Sequence, residues 1–328
     1  MSTPLVLCLG EVLYDRIADQ VAVTIAEVKS WTNYAGGAPA NVACALSRLG
    51  TPTGFIGAVG DDTQGRQLVV LLTAAGVDTM GVQVCPNYPT RTVLVLRSAQ
   101  GDRAFAGFGD NRPTTAFADT QLQAVHLPRD VFASAQYLVF GSLGMATPVS
   151  RQALLQAIGY AQQSDCQLVL DVNWRPVFWP ELEAAAPIIH QLIEQVQFLK
   201  LSIEESTWLL HTTSPGDIVQ QFPQLKGVFI TLGEAGCDYW LNGHSSHIPA
   251  FKVPVKDTTG AGDGFVAGLV HQLCQAPSVD QIDVATAKAI VTYACAVGSL
   301  TTTQSGAIAA QPTTVQVEQL LRGAIASE

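Results

Sequence analysis

Lys256-Asp-Thr-Thr-Gly-Ala-Gly-Asp-Gly-Phe265 is followed by Val266, Val270 and Leu273 at helical spacing, so a glycine-rich turn runs directly into a helix. The first N–H groups of a helix have no partner within it, and the positive end of the helix dipole lies beside them. Gly260 and Gly262 let an anion approach this backbone closely, which makes the segment a site for phosphate oxygens. Asp263 stands at the start of the helix, where its carboxylate reaches a substrate hydroxyl or, as an ordinary cap, the helix's own N–H groups.

Working outward, short apolar runs alternate with helical stretches. Strands are predicted over 5–9, 54–59, 137–140, 168–171, 198–201 and 228–232. Helices are predicted over 38–49, 64–75, 148–163, 180–194 and 204–211. Such alternation implies a doubly wound α/β fold with a mostly parallel sheet, and ligands then lie beyond the strand C-termini. Two stretches, 17–34 and 90–107, break the rhythm; in the second, runs at 92–97 and 103–106 flank 99–102 as the arms of a hairpin flank its turn. Both are expected to form a small β lid over the site, inserted in one continuous domain spanning 1–328.

Bulk composition narrows the partners. Hydrophobic residues are 48% of the 328 and charged residues 13%, which points to a large buried core. A net charge of −10 without a Lys/Arg run argues against nucleic acid or an anionic membrane and for a small-molecule substrate. The seven scattered cysteines, with no C-x-x-C pair, read as reduced thiols of a cytoplasmic protein. Residues 289–300 are uncharged but shorter than the roughly 20 residues of a membrane span, and are expected as a buried helix. The six histidines show no metal spacing, His244 and His247 are expected in a turn, and Trp174, Trp179, Trp208 and Trp240 are expected to serve in packing.

A second glycine-led segment, Gly36-Gly-Ala-Pro-Ala-Asn41, precedes a helix and offers in Asn41 both a donor and an acceptor, suited to a polyol. In this order, G-G-A-P-A-N and D-T-T-G-A-G-D resemble the two signatures of the PfkB (ribokinase-like) carbohydrate kinases, and the variant G-G-A-P-A-N-V-A looks closest to fructokinases. Gly57-Ala-Val-Gly-Asp-Asp-Thr-Gln-Gly65 resembles the next family segment. The resemblance implies that Asp263 is the catalytic base and that Gly260, Ala261 and Gly262 form an anion hole for the transferred phosphoryl group. It implies further that Asp15, Gly36, Gly37 and Asn41 hold the sugar, with Asn173 and Arg175 of Asp171-Val-Asn-Trp-Arg175 facing the cleft.

Nucleotide residues follow from the same resemblance. Ser202 to Glu205 resembles the family's N-x-x-E motif with serine in place of asparagine, which implies Ser202 at the nucleotide and Glu205 holding Mg²⁺ through water. Thr231, Gly233 and Gly236 resemble the nucleotide turn, joined by Gly262, and Ser299-Leu-Thr-Thr-Thr-Gln-Ser-Gly-Ala307 resembles the stretch that closes the nucleotide site. Cys295 stands where family members commonly carry an asparagine near adenine. The family also implies a monovalent cation, K⁺, at the turn holding Asp257 and Thr259, and leaves room for a homodimer formed through the lid. P-loop and protein-kinase motifs are absent from the sequence. The expectation is an ATP-dependent fructokinase, which gives fructose 6-phosphate and ADP. Its rivals are a kinase for 2-keto-3-deoxygluconate or ribose and a catalytically silent, kinase-like binding protein.

Overall fold

Val6, Leu7, Cys8 and Leu9 are all buried, and a strand whose every residue is covered must be covered on both faces. Val6 and Cys8 pack into one hydrophobic cluster while Leu7 and Leu9 pack into another, so the sheet divides the core in two. This is a computed structural model, and it describes residues 3–21, 24–97, 103–276 and 278–325. The strands are β1 (Val6–Leu9), β2 (Leu13–Val21), β3 (Trp31–Gly36), β4 (Thr53–Gly60), β5 (Asp78–Cys85), β6 (Thr92–Arg97), β7 (Arg103–Phe108), β8 (Tyr137–Gly141), β9 (Gln167–Asp171), β10 (Phe198–Ser202), β11 (Gly227–Thr231), β12 (Cys237–Leu241) and β13 (His244–Ile248). Nine of them form a sheet in the order β13-β12-β11-β10-β9-β8-β1-β4-β5, parallel from β11 through β5 and antiparallel at β12 and β13.

The helices are α1 (Ala38–Arg48), α2 (Thr63–Ala74), α3 (Pro148–Gln163), α4 (Ala185–Ile193), α5 (Ile203–Leu210), α6 (Pro215–Gln221), α7 (Ala261–Gln275), α8 (Val284–Thr301) and α9 (Thr314–Ile325). Residues of α1, α2, α7, α8 and α9 fill one cluster and residues of α3 to α6 the other, which makes three layers. The uncharged run at 289–300 lies within α8, which extends to 18 residues and buries Ile290, Val291, Ala294 and Val297 in the core.

A second, smaller sheet has the order β3-β2-β6-β7, with β2 and β6 parallel and the outer pairs antiparallel. It is the small β lid of the expected fold class. Its first strand begins at Leu13 rather than at residue 17, because the chain leaves the main sheet at Gly10 and pairs again almost at once; Asp15 therefore lies on this sheet, opposite Tyr34. The turn expected over 99–102 lies outside the described residues.

Two sequence expectations are corrected. The helix expected over 180–194 spans only Ala185–Ile193. Pro187 explains the late start, since it falls in the first turn, where its missing N–H costs nothing, whereas a helix from 180 would put it in the interior. His244 and His247 lie on β13 and not in a turn; the turn is Asn242-Gly243, both at positive φ (47° and 85°), as a tight hairpin requires.

The two sheets are tied together by Arg91, 1% exposed, just ahead of β6. Its Nε donates to Asp119 Oδ2 at 2.7 Å, and its other nitrogens donate to the Thr114 hydroxyl (3.1 Å) and carbonyl (2.8 Å). The rings of Phe108, Phe117 and Phe178 lie 5.0, 4.7 and 4.9 Å from its guanidinium carbon. Removing one partner of such a buried pair strands the other charge, so Arg91→Ala should lower the unfolding free energy by ~3–5 kcal/mol. Denaturant titration checks this, and a loss below ~1 kcal/mol would mean that Asp119 finds water or a proton instead.

Candidate active site

The residues singled out in the sequence converge where the parallel strands end. Beyond β1 lies Gly10-Glu11, β9 ends on Asp171, β10 on Ser202 and β11 on Thr231; the last two are in register, as are Lys200 and Asp171. The turn before α7 faces the same edge. Gly260 takes φ 81°, and a Cβ on it would lie 2.9 Å from that of Ala307, so only glycine fits the turn. Gly264 makes the first helical hydrogen bond, to the Gly260 carbonyl, which leaves the N–H groups of Gly262 and Asp263 ahead of it at the open end of α7. The Ala261 N–H turns back to Thr258 O at 3.2 Å and is the less available donor.

Asp263, third residue of α7, does not act as a simple cap. Its Oδ2 accepts the Asn41 amide at 2.7 Å, across from the first turn of α1. Burial pushes its pKa up, against the opposing pull of Asn41, Lys200 and Arg175. Asn41 is 5% exposed, and its Oδ1 has no hydrogen-bond partner. An unsatisfied buried acceptor beside a half-buried carboxylate is costly unless a ligand completes it.

The small sheet brings Asp15 to the start of the segment that carries Asn41, its Oδ2 3.0 Å from where a Cβ on Gly36 would lie, so a side chain at Gly36 would press on the carboxylate. Gly37 takes φ 106° and begins α1. On the opposite side, Asn173 has φ 42° and Arg175 is exposed, its charge reaching Asp263. Trp174 stacks on Trp208 with ring centroids 4.5 Å apart, in keeping with a packing role.

Glu205 is buried, unlike an ordinary surface helix residue. One oxygen accepts the Trp174 N–H (2.6 Å) and the other the Ser202 N–H (2.7 Å), while Ser202 Oγ accepts the Glu205 N–H (3.2 Å), a reciprocal cap at the start of α5. Thr231 Oγ1 donates to the Leu201 carbonyl at 3.2 Å, and Gly233 and Gly236, at φ 60° and 108°, shape the turn into β12. Asp257 accepts from the Thr259 N–H and hydroxyl (3.0 and 2.7 Å) and from the Gly306 N–H (3.1 Å), which laces the 299–307 stretch to the turn before α7. Cys295 is buried in α8, within the core.

Sequence reasoning missed Lys200. Its side chain is buried, with Nζ 3.1 and 3.2 Å from the two Asp171 oxygens, and a Cβ on Gly262 would lie 3.2 Å from the same nitrogen. A full positive charge therefore lies beside the open end of α7. Burial opposes the Lys200 charge, but Asp171, Glu205 and Asp263 outweigh it and hold the pKa above its ordinary value. Asp171 is pushed up to about 6 by burial, against the pull of Lys200. A lone lysine inside an apolar strand run was the available signal, because such a residue is almost never buried without a partner.

The sequence pattern of the pfkB family carbohydrate kinases matches residues 3–314. The chain belongs to this family. It is therefore an ATP-dependent sugar kinase. It is 35% identical to Fructokinase-1 of Zea mays over 323 residues, 98% of each chain. A fructokinase from Xylella fastidiosa with bound ATP superposes with a TM-score of 0.88 at 28% identity, covering 98% of this chain and 99% of that one. A double mutant of the fructokinase from Vibrio cholerae O395, in its fructose-, ADP- and potassium-ion-bound form, gives 0.83 at 29% identity, with coverage of 98% and 99%.

Lys200→Met should leave Asp171 buried without its cation and push its pKa above about 6. A carboxyl whose pKa is raised on folding binds its proton more tightly in the folded state, so stability falls as pH rises from the unfolded pKa to the folded one. In the parent this fall ends near pH 6; in the variant it should continue to higher pH. Denaturant titrations at several pH values measure the difference, and parallel curves would show that the pair is not electrostatically coupled.

Proposed function

We propose that this sugar kinase phosphorylates fructose, with Asp263 as general base. The observation that carries the reading is the Asn41–Asp263 pair, whose bond of 2.7 Å leaves Asn41 Oδ1 buried and unmatched. A sugar hydroxyl placed there donates to the carboxylate while a neighbouring hydroxyl donates to Asn41. Asp263 takes the hydroxyl proton as the sugar oxygen bonds to the terminal phosphorus of ATP, and the bond from that phosphorus to ADP breaks. Charge on the moving phosphoryl group meets the N–H groups of Gly262 and Asp263, the positive end of α7 and the Lys200 ammonium. A raised Asp263 pKa suits a base that must hold a proton in passing.

Fructose is favoured because the relatives in hand are named fructokinases. Asp15 is assigned to the sugar hydroxyls, with Arg175 and Asn173 facing them, and Ser202, Thr231, Gly233 and Gly236 to the nucleotide. Among the described residues there is no cluster of three or more acidic, histidine or cysteine side chains able to cage a metal. Mg²⁺ keeps most of its waters and binds through substrate phosphates, so Glu205, whose oxygens accept the Trp174 and Ser202 N–H groups, is assigned to its outer shell. When bound, Mg²⁺ supplies neutralising charge. The Asp257 turn is the assigned place for K⁺. The seven cysteines are free and five are buried, in keeping with a reducing, cytoplasmic setting. A family match running unbroken over 3–314 supports one domain with the small sheet inserted.

Asp263→Asn should keep the fold and ATP binding while turnover falls by about 10²–10⁴-fold. ADP release measured with fructose, glucose, ribose and 2-keto-3-deoxygluconate gives turnover and substrate choice together. A folded variant with near-parental turnover would remove Asp263 from the chemistry, and a higher kcat/KM for another sugar would replace fructose. Asp15→Ala should weaken fructose by ~1.5–3 kcal/mol while sparing ADP, the cost of losing hydrogen bonds to a charged group. Calorimetric titration with each ligand separates the two, and equal losses would mark Asp15 as structural.

A further inference from the structure

Glu11 follows Gly10 beyond the end of β1, is 8% exposed, and takes no part in the chemistry proposed above. Its Oε1 accepts the Ala38 N–H at 2.9 Å. Ala38 opens α1, whose own starting residue, Gly37, offers no capping side chain, and the next residue, Pro39, has no N–H to place. Glu11 thus supplies from another part of the chain the carboxylate that this helix start lacks, at the end of the dipole that favours negative charge. The backbones interlock as well: a Cβ on Gly37 would strike the Glu11 carbonyl, and one on Gly10 would strike the Pro39 ring. In that same first turn Asn41 reaches Asp263.

We infer that Glu11 is a positioning residue for the reaction, fixing the first turn of α1 so that Asn41 meets Asp263. The inference rests on Asp263 being the base. The charged groups facing Glu11 are Asp263, Asp119 and Arg91, the last two lining with it a cavity of about 20 Å³, room for one water. Burial pushes the Glu11 pKa up to about 7, and the charges of Asp119 and Asp263 add to the shift. Repulsion between two carboxylates raises the one that ionises second, and the Asp263 charge adds in this way to the Glu11 shift, so neutralising Asp263 must make Glu11 easier to ionise.

The test uses the full chain with Glu11→Ala, Glu11→Gln, Asn41→Ala and the double variant of Glu11→Ala with Asn41→Ala. Misplacing a base through its neighbour should lower kcat by about ten- to a hundredfold in Glu11→Ala with the KM for ATP unchanged. Glu11→Gln, which keeps the acceptor oxygen, should recover most of that loss. The double variant should be no slower than Asn41→Ala alone, because one effect passes through the other. Parental kcat in Glu11→Ala, or losses that multiply in the double variant, would overturn the inference. A carboxyl-carbon NMR titration of Glu11, assigned by its absence in Glu11→Gln, reads the contact without catalysis. In Asp263→Asn that titration should move to lower pH, and an unmoved one would overturn the inference even if Glu11→Ala does not fold. Should Asp263→Asn prove active, the base assignment fails on its own, while the titration and the cycle still report on the Glu11 contact.

Discussion

The hydrogen bond from Asn41 to Asp263 joins residues 222 positions apart in sequence, and the rest of the site is arranged around the problem it addresses. Asp171, Glu205 and Glu11 are withdrawn from water and Asp263 is partly so, near one edge of the sheet, where an uncompensated buried carboxylate would cost several kcal/mol. Each has a different remedy. Asp263 has the Asn41 amide, Asp171 the Lys200 ammonium, Glu205 two backbone N–H groups and Glu11 the start of α1. These donors come from helix starts, from the loop after β9 and from the end of β10, which is why the arrangement occurs where parallel strands end and helices begin.

Lys200 has a double place in this economy. It compensates Asp171 on the neighbouring strand, and it also leaves a cation against Gly262, on the path proposed above for the phosphoryl group. In that proposal the same ion pair serves the stability of the strands and the chemistry at their ends. Arg91 plays only the first part, with three phenylalanine rings and Asp119 around it, at the joint between the two sheets.

Much of the fold was legible because its signals are local. Parallel strands buried on both faces appear as apolar runs, and β1, β4, β8, β9, β10 and β11 fall within a residue or so of the runs that predicted them. Strands with one exposed face fared worse: β5 alternates polar and apolar residues along the sheet edge and gave no clear run, and the β12–β13 hairpin passed unnoticed although Asn242-Gly243 announces it. At the site, glycine turns and their neighbours could be singled out because short motifs specify them. Arg91 and Glu11 could not, since what gives each its meaning is a partner 28 or 27 residues away, and for Lys200 the local pattern marked a buried cation without naming its partner 29 residues away.

The connectivity of the small sheet has a consequence for how the chain is made. Its central parallel pair sets Asp15 beside Val93, and between β3 and β6 the chain runs through α1, β4, α2 and β5, of which β4 and β5 are strands of the main sheet. A ribosome that has released β2 and β3 has released only a hairpin, which is marginal alone in water. Its completion waits until the intervening strands have docked and returned β6 to it, a pairing of high sequence separation and so a slow one. The cover over the cleft is thus not a cassette that evolution or an engineer can cut out and graft elsewhere; it is inherited only together with the first third of the chain.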